Sequence, residues 1–321
     1  IGFDSMIAAW LDNPDASQGQ LGLKAQAFTR LGVEMTEIEE LIGQGKDQIT
    51  MALVPVARAA PYAASDADMT LRLVGPLRES LAARGQQDLF EKVEVPLIPV
   101  LADMEQAGVL IDSDFFDRMS QELGESLAEL MGDIYEIVGY EFNINSPQQL
   151  AEALFEKLQL PTEGLRKTST GRYSTAVDVL ETLQERDTTG VVEAIMQYRE
   201  LDKLKSTYLD ALPKMINPQT GRIHTSYNQT GTVTGRISSS NPNLQNIPIR
   251  TDVGRRVRYG FIAAPGCVLL GADYSQIELR VLAHISGDET LRQAFMEGQD
   301  IHASTAAAVH GIPLDQVTRE Q

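Results

Sequence analysis

Apolar residues recur every three or four positions through most of this chain. Helical spacing runs over residues 3–11 and 59–83, and Pro61 limits where the second helix begins, because a proline interrupts the hydrogen bonds of a helix interior. Gly43, Gly45 and Pro55 mark loops between them. The helical rhythm resumes over 88–140 and breaks at Gly108, where Gly-Val-Leu-Ile-Asp reads as a short strand or turn. Asn145-Ser146-Pro147 and Ser174-Thr175 are helix start signals, and the polar stretch 161–175 reads as a mobile loop. Residues 191–212 form a further helix, with Arg199, Lys203 and Lys205 near one face. After Pro213 the rhythm changes. Residues 222–229 and 232–237 alternate as strands of a β-hairpin joined through Thr230-Gly231, and a long polar loop, 238–247, follows. Residues 267–273 read as a short buried strand that ends on Asp273. The segment 275–285 is helical, with Ile277, Val281, Leu282 and Ile285 on one face.

Composition narrows the class. Hydrophobic residues make up 43% and charged residues 22% of 321, which suits a folded chain of two or three domains rather than a disordered one. No apolar run approaches the ~20 residues that cross a bilayer, so no membrane role is expected. The one cysteine, Cys267, excludes a disulfide scaffold and suits a reducing cytoplasm. The net charge of -18 argues, taken alone, against a nucleic-acid partner. Its distribution reverses that argument. Residues 195–280 hold eleven Lys and Arg against six acids, a local balance of +5, which leaves −23 on the remainder. A basic segment inside an acidic chain suits a polyanion site.

Two stretches within that segment carry candidate chemistry. In Asp273-Tyr-Ser-Gln-Ile-Glu-Leu-Arg280, a carboxylate stands where a strand turns into a helix. Hard cations such as Mg²⁺ take oxygen ligands, often one or two carboxylates with substrate phosphates. The pattern alone also suits a helix cap at Asp273 and an ion pair at Glu278. The second stretch, Thr234-Gly-Arg-Ile-Ser-Ser followed by Asn241-Pro-Asn-Leu-Gln-Asn-Ile-Pro-Ile-Arg250, mixes arginines with amides and hydroxyls. These groups suit contacts to phosphates, sugars and base edges, and they equally suit a solvated loop of Asx and Ser turns.

In their order and spacing, these two segments resemble motifs of family A DNA polymerases, the bacterial DNA polymerase I type. Arg199-Glu-Leu-Asp-Lys203 resembles the helix joining thumb to palm in that family, and Asp300-Ile-His302 the segment opening its fingers. The resemblance implies a mostly helical α+β fold: a partial RNase H-like 3′–5′ exonuclease domain, a helical thumb and a partial palm with antiparallel sheet. The implied boundaries are 1–87 for the exonuclease-like part, 88–212 for the thumb, 213–298 for the palm and 299–321 for the start of the fingers. It also implies a monomeric cytoplasmic enzyme that binds primer–template DNA and a deoxynucleoside triphosphate.

By the same resemblance, Asp273 would bind Mg²⁺ in a two-metal site, with the Tyr274 carbonyl completing one shell. Glu278 would exclude a ribose 2′-hydroxyl, and His302 would approach the triphosphate. Arg236, Asn243, Gln245 and Arg250 would contact primer–template, Arg236 in the minor groove. Arg199 and Lys203 would hold backbone phosphates. Asp4, and Tyr62 with Asp66, resemble metal and water-orienting positions of the exonuclease, although Tyr62 and Asp66 lie one helical turn apart and also suit a surface pair. Both ends read as cut. The first exonuclease motif would precede Ile1, and the fingers helix and a second catalytic aspartate would follow Gln321. On this reading the chain alone is inactive, and the alternative is a non-catalytic DNA-binding remnant of the same scaffold.

Overall fold

Helix α1 (Ser5–Asp12) begins where the Asp4 carboxylate accepts the Met6 and Ile7 N–H groups, both at 2.9 Å. This opens a computed structural model that describes residues 1–249 and 251–318 in two units, Ile1–Ala264 and Pro265–Gln321. The mostly helical α+β architecture implied by the sequence is the one found.

In the first unit, α1 buries Ile7, Ala8, Trp10 and Leu11 against Leu73, Leu77 and Leu81 of α2 (Val56–Ala83) and against Phe90. The four-residue spacing of those leucines puts them on one stripe of α2. This helix starts three residues before the sequence reading, with Pro61 and Pro76 inside it. Each proline leaves a carbonyl one turn back without its partner. Ala57 and Arg72, which carry those carbonyls, are exposed, so the lost bonds are not buried in the core. Asp12 closes the layer. Its carboxylate accepts from Ser80 Oγ (2.5 Å), an Arg30 guanidinium nitrogen (2.5 Å) and Arg84 Nε (2.7 Å). Burial pushes this carboxyl up, but the bonds from Ser80, Arg30 and Arg84 outweigh burial and hold it below its ordinary value.

Helix α3 (Val95–Ala107) leads through Gly108 to strand β1 (Leu110–Ile111) and the long α4 (Ser113–Val138), capped by Asp112 through the Phe115 N–H. Two cores form along α4. The distal one packs Ile134 and Val138 with Leu150 and Leu154, with Leu180 and Leu183 of α5 (Val177–Gln184), and with Val191 and Ile195 of α6 (Val191–Leu204). The proximal one packs Phe116, Met119 and Leu123 with Leu201, Leu204, Tyr208, Ile223 and Val257.

The β structure differs from expectation in register. Strand β2 (Ser226–Asn228) pairs antiparallel with β3 (Ser238–Ser240), with Tyr227 opposite Ser239. Residues 232–237, expected as the second strand, form the connecting loop, and the strand lies in what read as loop. Side-chain bonding decides this. Thr232 Oγ1 donates to the Arg236 carbonyl at 2.9 Å, closing the loop on itself, whereas Ser239 is buried against Thr225 with their hydroxyls 2.7 Å apart. Residues 161–175, read as a mobile loop, contain a tight turn in which Lys167 bridges Tyr173. Helix α7 (Asp252–Val257) then leads to β4 (Phe261–Ile262), which pairs with β1. Glu122 on α4 and Arg256 on α7 form a two-pronged ion pair at 2.8 and 2.7 Å.

The second unit holds α8 (Ile277–Ser286), α9 (Glu289–Met296) and α10 (Ile301–His310). Here one expectation fails. Residues 267–273 form no strand, and Val268 and Leu270 are 85% and 91% exposed rather than buried. An extended segment becomes a strand only when a neighbour takes its backbone groups, and none of the described residues does so. The helix expected over 275–285 is present as α8; its apolar face is exposed at Ile277, Val281, Leu282 and Ile285, and it buries Ala283. No helix among the described residues is long and apolar enough to cross a membrane.

Two outcomes follow for stability. A Cβ at Gly260 would lie 2.0 Å from the fully buried Phe116 ring. Gly260→Ala should therefore lower unfolding stability by about 2–3 kcal/mol in urea titrations, and an unchanged midpoint would contradict the packing. Asp12→Asn should cost about 1–3 kcal/mol at neutral pH. Because the folded carboxyl lies below its ordinary value of 3.8, its contribution is complete above that pH and fades as pH falls beneath it. The stability gap between parent and variant should accordingly narrow in strong acid.

Candidate nucleic-acid interface and metal-ligand segment

A buried hydroxyl pair positions the polar segment 238–247. Thr225 Oγ1 donates to the Pro242 carbonyl at 2.7 Å, and Ser239 Oγ accepts the Leu244 N–H at 3.1 Å. Both side chains are nearly inaccessible. Leu244 and Ile247 pack against the proximal core, while Asn243 and Gln245 are exposed between and beside them. Local bonds hold that outward pair: Asn243 Oδ1 accepts the Gln245 N–H at 3.0 Å, and Gln245 Nε2 donates to the Ile237 carbonyl at 2.7 Å. Tyr208, buried in the same core, donates its hydroxyl to the Asn246 carbonyl at 2.5 Å. Burial pushes this phenol up, so it stays a neutral donor.

A groove of about 850 Å³ opens beside this segment, lined by Lys203, Thr207, Ser240, Asn241, Asn243 and Asn246 among others. Lys203 is exposed on α6, and the structure brings it to the same groove as Asn243. Arg236 is exposed in the β2–β3 loop. Arg250 lies outside the described residues.

Arg199 sits one turn before Lys203 but is differently committed. Its guanidinium donates to the Thr175 carbonyl at 2.5 Å and reaches Thr175 Oγ1 at 3.5 Å. Burial lowers its pKa, though an arginine remains charged. The arginine thereby ties α6 to the turn before α5. It lines a second hollow of about 650 Å³ with Ser146, Thr168, Thr170, Arg172 and Ser174. Sequence reasoning did not select Arg172 or these hydroxyls. Their signal was present, as three basic residues (Arg166, Lys167, Arg172) among serines and threonines, but it read as a loop.

In the N-terminal layer, Asp4 is the α1 cap, with one carboxylate oxygen accepting two N–H groups. The Tyr62 ring faces the Lys24 ammonium at 5.4 Å, and Asp66 is half-buried on α2.

In the second unit, Asp273 and Tyr274 are exposed in the stretch before α8, and Glu278 is exposed in the first turn of that helix. Between them Gln276 takes a left-handed conformation, φ 53°, which turns the chain into α8. Arg280 Nε donates back to the Ser275 carbonyl at 2.9 Å, and its guanidinium stacks on Phe295 of α9 at 4.6 Å. Asp300 caps α10 by accepting the His302 and Ala303 N–H groups. His302 is exposed and borders a hollow of about 490 Å³. Among the described residues, no three His, Cys, Asp or Glu side chains cluster in a metal-binding arrangement. Asp273 and the Tyr274 carbonyl still offer hard oxygen donors, which fit a cation completed by phosphate oxygens and water.

Comparison with known proteins bears on these segments directly. The model of DNA polymerase family A matches residues 113–321. DNA polymerase I of Chloroflexus aurantiacus is 49% identical over 327 residues, spanning 100% of this chain and 34% of its own length. That of Pseudomonas aeruginosa is 46% identical over 322 residues, spanning 100% of this chain and 35% of its own. A solved structure, the POL domain of Pol1 from M. smegmatis in complex with DNA primer-template and dNTP, superposes with a TM-score of 0.84 at 33% identity, over 99% of this chain and 51% of that one. The chain thus spans about a third of the length of these curated relatives. With the family model matching well over half of its residues, this chain belongs to DNA polymerase family A.

Proposed function

We propose that this chain is the part of a DNA-directed DNA polymerase that grips primer–template and carries one catalytic metal ligand. The observation that carries the reading is the pairing, in one family member, of a braced amide-and-arginine surface with the Asp273–Arg280 segment. The M. smegmatis relative, solved with primer-template and dNTP, supports the same partners here. Residues 88–212 act as thumb, 213–298 as palm and 299–321 as the start of the fingers, with 1–87 derived from an exonuclease-like domain that includes Asp4, Tyr62 and Asp66. The enzyme works as a monomer in the bacterial cytosol.

Each side chain has a physical task. Lys203 neutralises a backbone phosphate, and Arg199 adds positive charge while bracing the turn at Thr175. Arg236 donates into the minor groove, where purine N3 and pyrimidine O2 acceptors report pairing geometry rather than sequence. Asn243, Gln245 and Arg250 contact the strands near the new pair. Glu278 occupies the space a ribose 2′-hydroxyl would need, which selects deoxynucleotides. His302, at the start of α10, donates toward the triphosphate where helix N–H groups also favour anions. Asp273 and the Tyr274 carbonyl hold Mg²⁺, which when bound supplies positive charge for the attacking and leaving oxygens. With one carboxylate at this position, the chain by itself binds primer–template without extending it.

Two measurements test this reading. In a full-length polymerase containing this chain, Asp273→Ala should reduce primer extension by at least three orders of magnitude while duplex affinity changes little; normal extension would remove the metal-ligand role. For the 321-residue chain, Lys203→Ala should flatten the slope of log K against log salt by about 0.9, the loss of one phosphate contact. Arg236→Ala should weaken duplex binding several-fold with almost no change in that slope. Equal slopes in all three proteins would place Lys203 away from the phosphates.

A further inference from the structure

The loop of residues 230–236 carries Arg236, and it is held from the far end of the sequence. The Trp10 indole N–H donates to the Thr232 carbonyl at 3.1 Å. Gln18 Nε2 donates to the Thr230 carbonyl at 2.6 Å. The outer edge of the indole lies under Gly235, where an added Cβ would sit 3.8 Å from Cη2. Gly235 has φ +80°, a conformation that glycine adopts without strain. Within the loop, the Thr232 hydroxyl donates to the Arg236 carbonyl at 2.9 Å, so the residue fixed by Trp10 is itself tied to Arg236.

A buried indole usually finds some acceptor for its N–H, so one such bond would count for little. Here the N-terminal helical layer supplies two donors to alternate carbonyls of one loop, across 222 and 212 positions of sequence. Trp10 is 4% exposed and belongs to the N-terminal core with Leu73 and Leu77. Gln18 is exposed and fills no core. Its bond to Thr230 therefore supports the loop and serves no packing purpose. The backbone of 230–236 is thus referenced to a rigid layer outside the hairpin it connects.

We propose that Trp10 and Gln18 are positioning residues: they set the 230–236 loop so that Arg236 meets the duplex, and they couple the N-terminal layer to primer–template binding. This rests on the reading of Arg236 as a DNA contact. Trp10 is the one tryptophan of the chain, so its emission reports on that coupling without any label.

The test titrates the 321-residue chain with a primer–template duplex carrying a dye, and follows dye anisotropy and tryptophan emission together. Emission should change and saturate at the same Kd that anisotropy gives. Arg236→Ala should still bind, several-fold more weakly, with the emission change lost. Gln18→Ala, which leaves the core intact, and Trp10→Phe, which removes the N–H, should each weaken binding about two- to tenfold. Neither should weaken it further in the Arg236→Ala background, because residues acting through one group are not additive. Flat emission at saturating duplex, or additive losses, would overturn the coupling while leaving the DNA-binding reading in place. No anisotropy change at any duplex concentration would overturn the DNA-contact reading and this inference with it.

Discussion

A polar segment keeps one conformation at a protein surface only if its backbone groups find fixed partners in place of water. In residues 238–247 those partners come from the hydroxyls of Thr225 and of the segment's own Ser239, both buried and bonded to Pro242 and Leu244. Removing either hydroxyl would leave the other buried group without its neighbour, at a cost set by desolvation rather than by a single bond. The exposed amides of Asn243 and Gln245 inherit their positions from this hidden pair. Their backbone is already ordered, so a duplex binding there would meet little further loss of conformational freedom.

The proximal core explains why the hydroxyl pair stays in place. Leu244 and Ile247 pack onto the cluster built by Phe116, Met119 and Leu204, and Tyr208 reaches from that cluster to the Asn246 carbonyl. Arg256 clamps α7 to α4 through Glu122, whose carboxyl is held low by the guanidinium it binds. Apolar burial supplies the adhesion, and a few directional bonds select the register. Arg199 plays a comparable part at the distal core, where its charge is spent on Thr175 and the turn it anchors. The same residue braces the fold and lines the second hollow.

Much of this was legible in the sequence because it is local. The helix start at Ser146, the break at Gly108 and the helical rhythm that becomes α4 follow from neighbouring residues. The chemistry-bearing segments were legible too, since their residue types and spacing match a family. The β register was not. Ser238–Ser240 has the composition of a loop, and it became a strand because Thr225, 14 positions earlier and outside any local pattern, bonds Ser239. Residues 267–273 failed in the opposite sense, apolar enough for a buried strand but without a partner among the described residues. Net charge misled for a related reason, since the sum of -18 conceals a basic stretch of +5 over residues 195–280.

Hydrogen–deuterium exchange of the 321-residue chain, with and without a primer–template duplex, tests the central claim most directly. A braced interface predicts that amides of 238–247 exchange slowly even without DNA, and that the duplex adds protection there. Fast exchange of 238–247 in the free chain, or duplex protection confined to other segments, would contradict it.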